Sequence, residues 1–123
     1  MATRLATVEY PNDYTTIITW TGLTFSTTDD GDAVSLPEWA DRSVQVTGTL
    51  GAGGSVRIAG TNSNGGSPVY HALTNPQGTA LNITALGLQA ISEVPHKTKP
   101  LVTAGDGTTD LTVRMVLRRP RPH

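Results

Sequence analysis

Apolar and polar residues alternate with a period of two along several short stretches of the chain. In Val44-Gln45-Val46-Thr47-Gly48-Thr49-Leu50 the alternation places Val44, Val46 and Leu50 on one face, as in a half-buried strand. Leu111 to Arg118 repeats the pattern, with Leu111, Val113, Met115 and Leu117 inward and Thr112, Arg114 and Arg118 outward. Val56-Arg57-Ile58 and Leu81-Asn82-Ile83-Thr84 are shorter versions. Thr16-Ile17-Ile18-Thr19-Trp20-Thr21 is rich in β-forming residues but apolar on both faces, which predicts a strand covered on both sides. Further strands are expected at Ala33 to Leu36, Val69 to Leu73, Leu88 to Glu93 and Thr98 to Thr103.

Dense turn chemistry separates these stretches: Asp29-Asp30-Gly31-Asp32, Gly51-Ala52-Gly53-Gly54, Asn62-Ser63-Asn64-Gly65-Gly66, Asn75-Pro76-Gln77-Gly78 and Gly105-Asp106-Gly107. Asp, Asn and Gly serve tight turns through local side-chain hydrogen bonds and tolerance of positive φ. No segment carries the periodicity of a long amphipathic helix; Ala85 to Val94 is ambiguous, since Leu86, Ala90 and Ile91 fit a short helical turn. About eight short strands at this spacing predict an all-β protein, an antiparallel β-sandwich of jelly-roll or Ig-like type. Residues 1–14 read as an N-terminal arm, 15–119 as the sandwich domain and 120–123 as a proline-limited C-terminal tail.

Composition strengthens the β assignment. The 123 residues include twenty Thr and 13 Gly, against only 15% charged residues, and β-branched Thr suits a half-solvated pleated surface. The net charge of −1 announces no nucleic-acid or membrane partner. Residues 1–56 hold 2 basic and 7 acidic side chains (−5), and residues 57–123 hold 7 basic and 3 acidic (+4). No cysteine is present, which removes disulfides and thiolate chemistry. The first residues lack an apolar run of signal-peptide type, so no export signal is expected.

Candidate chemistry is sparse. His71, His96 and His123 show no metal-ligand spacing, and no Gly-x-Ser-x-Gly elbow occurs. Asp29, Asp30 and Asp32 crowd one predicted turn and lack the spacing of a calcium loop; Gly105 to Asp110 offers fewer ligands still. Gly51 to Gly54 precedes a strand and not the helix that a phosphate loop needs. No enzyme activity, metal or cofactor is expected. What remains are groups suited to protein contact: Tyr10 and Tyr14 in the arm, Trp39 between two strands, and Arg118, Arg119 and Arg121 at the C-terminus.

Ala40-Asp41-Arg42-Ser43-Val44-Gln45-Val46 leads through Gly53-Gly54-Ser55-Val56 to Gly60-Thr61-Asn62. Leu73-Thr74-Asn75-Pro76-Gln77-Gly78 follows, then Pro100-Leu101-Val102-Thr103-Ala104-Gly105-Asp106-Gly107-Thr108-Thr109. Over residues 16–119 this order resembles small β-sandwich virion proteins of tailed bacteriophages, of the group that decorates or cements the capsid. Ahead of Leu73, where that group would have a Trp, this chain has Ser67-Pro68-Val69-Tyr70-His71-Ala72. The resemblance implies a structural role without catalytic residues. It also implies copies bound to the major capsid protein on the capsid surface, often as dimers or trimers, after synthesis in the host cytoplasm. The alternatives are a carbohydrate-binding or adhesion module displayed on a virion, for which Trp39 and Tyr70 must be exposed on one face, and a tail or head-completion protein. On the capsid reading the arm at 1–14 and the tail at 118–123 clasp neighbours, so deleting either would lower capsid occupancy and leave the melting transition intact.

Overall fold

In the computed structural model the described residues are 3–25, 29–35 and 39–119. They form β1 (Thr3–Arg4), β2 (Thr7–Asn12), β3 (Thr15–Thr24), β4 (Asp30–Gly31), β5 (Asp41–Thr49), β6 (Ser55–Thr61), β7 (His71–Ala72), β8 (Asn82–Ile83), β9 (Gly87–Ile91), β10 (Lys97–Ala104) and β11 (Asp110–Arg118), with no helix among them. One sheet has the order β2-β3-β11-β5-β9; the other runs β1-β4-β10-β6-β7, with β8 also paired to β6. Every pairing is antiparallel except that of β1 with β4. The stretch 85–94, ambiguous in the sequence, carries strand β9 over its central five residues and no helical turn.

The alternation sets the core. Val44 and Val46 of β5, Leu111, Val113, Met115 and Leu117 of β11, and Ile18, Trp20 and Leu23 of β3 face Val56 and Ile58 of β6, Ile83 of β8 and Val102 of β10. Burial of this apolar surface is the main favourable term in folding. The last strand, β11, lies between β3 and β5, so the central strand of its sheet comes from the end of the chain. Ile17 is only half-buried, on the outer face opposite Val116 and Glu9. Among the described residues no second layer covers that face of β3, and Ile17 is sheltered by its cross-strand neighbours, which corrects the expectation of cover on both sides.

The acidic run read as a turn is the strand β4 and its flanks, with Asp29, Asp30 and Gly31 buried and Asp32 half-buried. Asp29 is completely enclosed, and its Oδ2 accepts from Arg4 Nε (3.0 Å) and a second Arg4 guanidinium nitrogen (2.8 Å), and from the Thr24 amide and hydroxyl. Asp30 accepts from Thr3 Oγ1 and from Lys99 Nζ, each at 2.8 Å. Asp32 accepts from the Ala6 amide (2.8 Å), and its backbone oxygen accepts from Trp20 Nε1 (3.1 Å). Such groups persist in a low-dielectric interior only when paired. Gly31 is required here by close approach, since a Cβ would stand 2.4 Å from the Trp20 ring and 2.8 Å from Pro100 Cδ.

These contacts also change the picture of the N-terminus. Residues 3–12, expected as an arm, belong to both sheets: β1 pairs with β4, and β2 pairs with β3. The cause is electrostatic and steric: Arg4 and Thr3 carry the partners that the buried Asp29 and Asp30 need. Removing residues 1–14 would therefore take partners from the interior as well as surface from the outside.

Candidate functional site

Strand registers bring one set of chain ends together. Thr15, Arg118 and Asp41 lie side by side, Arg42 pairs with Ile91, and an Arg42 guanidinium nitrogen reaches across to Thr98 Oγ1 of the other sheet at 3.2 Å. At this end the β2–β3 hairpin turn, the start of β5 and the end of β11 converge. Four of the residues singled out in the sequence are thereby gathered: Tyr14, Trp39, Arg118 and Arg119.

Their geometry is specific. The Arg119 guanidinium lies 4.5 Å from the centre of the Trp39 ring, within cation–π range. Arg119 Nε donates to the Asp13 carbonyl at 3.0 Å, and the Arg119 amide donates to the Tyr14 carbonyl at 3.1 Å. The last described residue of β11's extension is thus tied to the hairpin tip and to Trp39 at once. Trp39 itself is only 5% exposed, so it serves as the floor of this end and is not a projecting anchor. Arg118 is exposed on the outer face, beside a shallow recess of about 310 Å³ that it lines with Asp41, Ser43 and Val116. Arg121 and the rest of the tail lie outside the described residues.

Tyr10 stands apart from that cluster. It is 63% exposed on β2, an edge strand whose six residues are all exposed. Val8 on the same strand and Leu5 just before it, at 40% and 80%, make this an apolar edge, and the hairpin leads from it to Tyr14. The two aromatics on which a glycan platform depends are both engaged with cations, Trp39 with Arg119 and Tyr70 with Lys99, whose ammonium lies 4.4 Å from the Tyr70 ring centre.

The acidic loops do structural work. Asp106 accepts from the Ala52 amide (2.8 Å), the Thr108 amide (2.8 Å) and the Thr108 hydroxyl (2.7 Å), which ties the loop at 50–54 to that at 105–109. The Ala52 amide first, then the two Thr108 donors, lower its carboxyl pKa to about 2. Among the described residues no group of three or more His, Asp or Glu side chains could hold a metal, and no helix is long and apolar enough to cross a membrane.

Three features escaped sequence reasoning. Arg42 occupies an inward position of β5 and is 6% exposed, with Nε donating to the Trp39 carbonyl at 3.0 Å; burial lowers its pKa. The signal was available, since an Arg in step with Val44 and Val46 must either be paired inside or break the alternation. A cleft of about 640 Å³ lies between β6–β7 and the segment after β9, lined by Val69, His71, Leu73, Glu93, Val94 and Pro95 among others. Slight burial would raise the Glu93 carboxyl, but hydrogen bonds from the Thr74 hydroxyl (2.5 Å) and amide (2.7 Å) outweigh it and the pKa falls. The third is the exposure of Leu86 and Leu88 at the β9 edge, which no local pattern separates from core leucines.

No protein-family model and no curated protein matches the sequence. The structure is similar to the crystal structure of SPBc2 prophage-derived protein YomS, at 13% sequence identity and a TM-score of 0.57, over 89% of this chain and 98% of that one. At this identity the likeness is one of fold, and it spans nearly the whole of both chains.

Proposed function

We propose that the protein is a structural component of a phage virion. In this reading it binds the outside of the capsid as a decoration or cement protein and stabilises contacts between major capsid protein subunits. The observation that carries the proposal is the exposure of Leu5, Val8 and Tyr10 at and just before the β2 edge, together with exposed Arg118 and Arg119 at the end where the β2–β3 hairpin meets β11. Exposed apolar side chains beside tyrosine and arginine on a rigid sheet edge are the groups that dominate protein interfaces. The order of turn and strand motifs supports a phage setting, as does the fold in common with a prophage-derived protein. The role is mechanical: a stiff sandwich presents an edge, and many copies add their contacts by avidity.

The test is to mix the purified protein with capsids that lack it and to measure copy number and position by cryo-electron microscopy. Saturable binding at fixed symmetry positions, with the β2 edge and hairpin tip against the shell, supports the proposal. Absence of binding, or binding only as a ring of fixed copy number at a vertex or tail, overturns it.

A further inference from the structure

Strand β9 closes one side of the five-stranded sheet and β2 the other. The β2 edge carries devices that discourage pairing: Glu9, Pro11 and a register shift between Glu9 and Asn12. β9 carries none. Gly87-Leu88-Gln89-Ala90-Ile91 has no charge and no proline, and its register against Arg42 to Val46 is unbroken.

The outward backbone groups of β9 follow from two hydrogen bonds. The Arg119 amide donates towards Tyr14, on the β3 side of β11, and the Ser92 amide donates to Thr74 O at 2.9 Å, on the side of β9 away from β5. Alternation across β11, β5 and β9 then turns the N–H and C=O of Leu88 and Ala90 outward, where no described residue bonds them. Leu86 and Leu88, 51% and 67% exposed, flank one end of this edge; Val94 and Val69, on the rim of the 640 Å³ cleft, flank the other.

We infer that β9 is the pairing edge for a second copy of this chain, joined about a two-fold axis into one continuous ten-stranded sheet. The strand is self-complementary. With Gln89 opposite Gln89, Leu88 of one copy meets Ala90 of the other, so the two outward residues of each strand exchange both backbone hydrogen bonds. Large is set against small on the outer face, and no like charges oppose each other. The contact is isologous and closes at two copies, whereas β9 on the β2 edge of another copy would be heterologous and open-ended. Thr74 engages Ser92, and Asn75 Nδ2 donates to the Gln89 side chain at 3.4 Å, which limits the pairing to the backbone groups of Leu88 and Ala90. This inference does not rest on the capsid reading.

The experiment is sedimentation velocity on the full chain from micromolar to millimolar concentration, with Ala90→Pro and Leu88→Lys as variants. Ala90→Pro deletes an outward N–H and leaves the bonds to β5 intact, and Leu88→Lys places two charges at the contact. A concentration-dependent dimer is expected, with each variant weakening it about tenfold or more while the monomer's melting transition persists. Hydrogen exchange on the unaltered chain supplies a check that needs no variant: the Leu88 and Ala90 amides slow as concentration rises. A chain that is monomeric throughout overturns the inference. So does a dimer whose Leu88 and Ala90 amides exchange at the monomer rate, or one indifferent to both substitutions.

Discussion

Arg4→Ala tests whether the N-terminal strand belongs to the fold. The substitution removes the 2.8 Å and 3.0 Å contacts from a carboxylate that is wholly enclosed. Removing one partner of a fully buried pair costs about 3–5 kcal/mol, but the Arg4 side chain is 41% exposed, and solvated pairs contribute about 0–1 kcal/mol. Between these limits the expected loss is about 2–3 kcal/mol, a large share of the ~5–15 kcal/mol that holds a typical domain. At this chain length that lowers the melting temperature by roughly 8–12 °C. Asp29→Asn removes the charge that needs the guanidinium, so in the double variant the two losses should fall short of additivity by about 1 kcal/mol or more. Urea and thermal unfolding of the four proteins would measure this. An Arg4→Ala loss below about 0.5 kcal/mol, or an additive cycle, refutes the argument that Arg4 neutralises a buried charge. The same logic predicts that deleting residues 1–12 lowers the melting transition, contrary to the behaviour of an independent arm.

Thr16→Val should leave stability unchanged or raise it by up to about 1 kcal/mol, since Thr16 Oγ1 is buried and finds no hydrogen-bond partner among the described residues, and valine keeps the shape; a loss above about 1 kcal/mol in urea unfolding would show that the hydroxyl has a partner. Asp106 has a folded pKa of about 2 against an ordinary 3.8. A depressed carboxylate stabilises the fold above its unfolded pKa and loses that contribution as pH falls through the folded one. The melting temperatures of the unaltered protein and Asp106→Asn should therefore differ at pH 5 and converge as pH falls from about 4 to 2; a gap that is constant with pH contradicts this. Arg119→Ala uncovers Trp39, so tryptophan emission should shift to the red, with a loss of about 0.5–2 kcal/mol. Unshifted emission would mean that Arg119 does not cover the ring in solution.

Period-two alternation, read from the sequence alone, located β5, β6, β8 and β11 and named the inward residues Val44, Val46, Leu111, Val113, Met115 and Leu117, because a strand's side chains must alternate between core and solvent. The turn at Gly105 to Thr109 was legible for the same local reason, since Asp106 bonds the Thr108 amide two residues on. The candidate surface was legible in its parts but not in its arrangement: Tyr14, Trp39, Arg118 and Arg119 were chosen for their chemistry, while their convergence depends on β11 entering the sheet between β3 and β5. Tertiary structure alone decided the fate of Asp29 to Asp32. An Asp-Gly run is a turn by every local criterion, yet Asp29 and Asp30 are buried around the short strand β4 because their partners lie far along the chain, Arg4 at a separation of 25 residues, Thr3 at 27 and Lys99 at 69. A local pattern records which face of a strand is apolar; whether a buried charge finds its counter-ion is settled only when distant segments close around it.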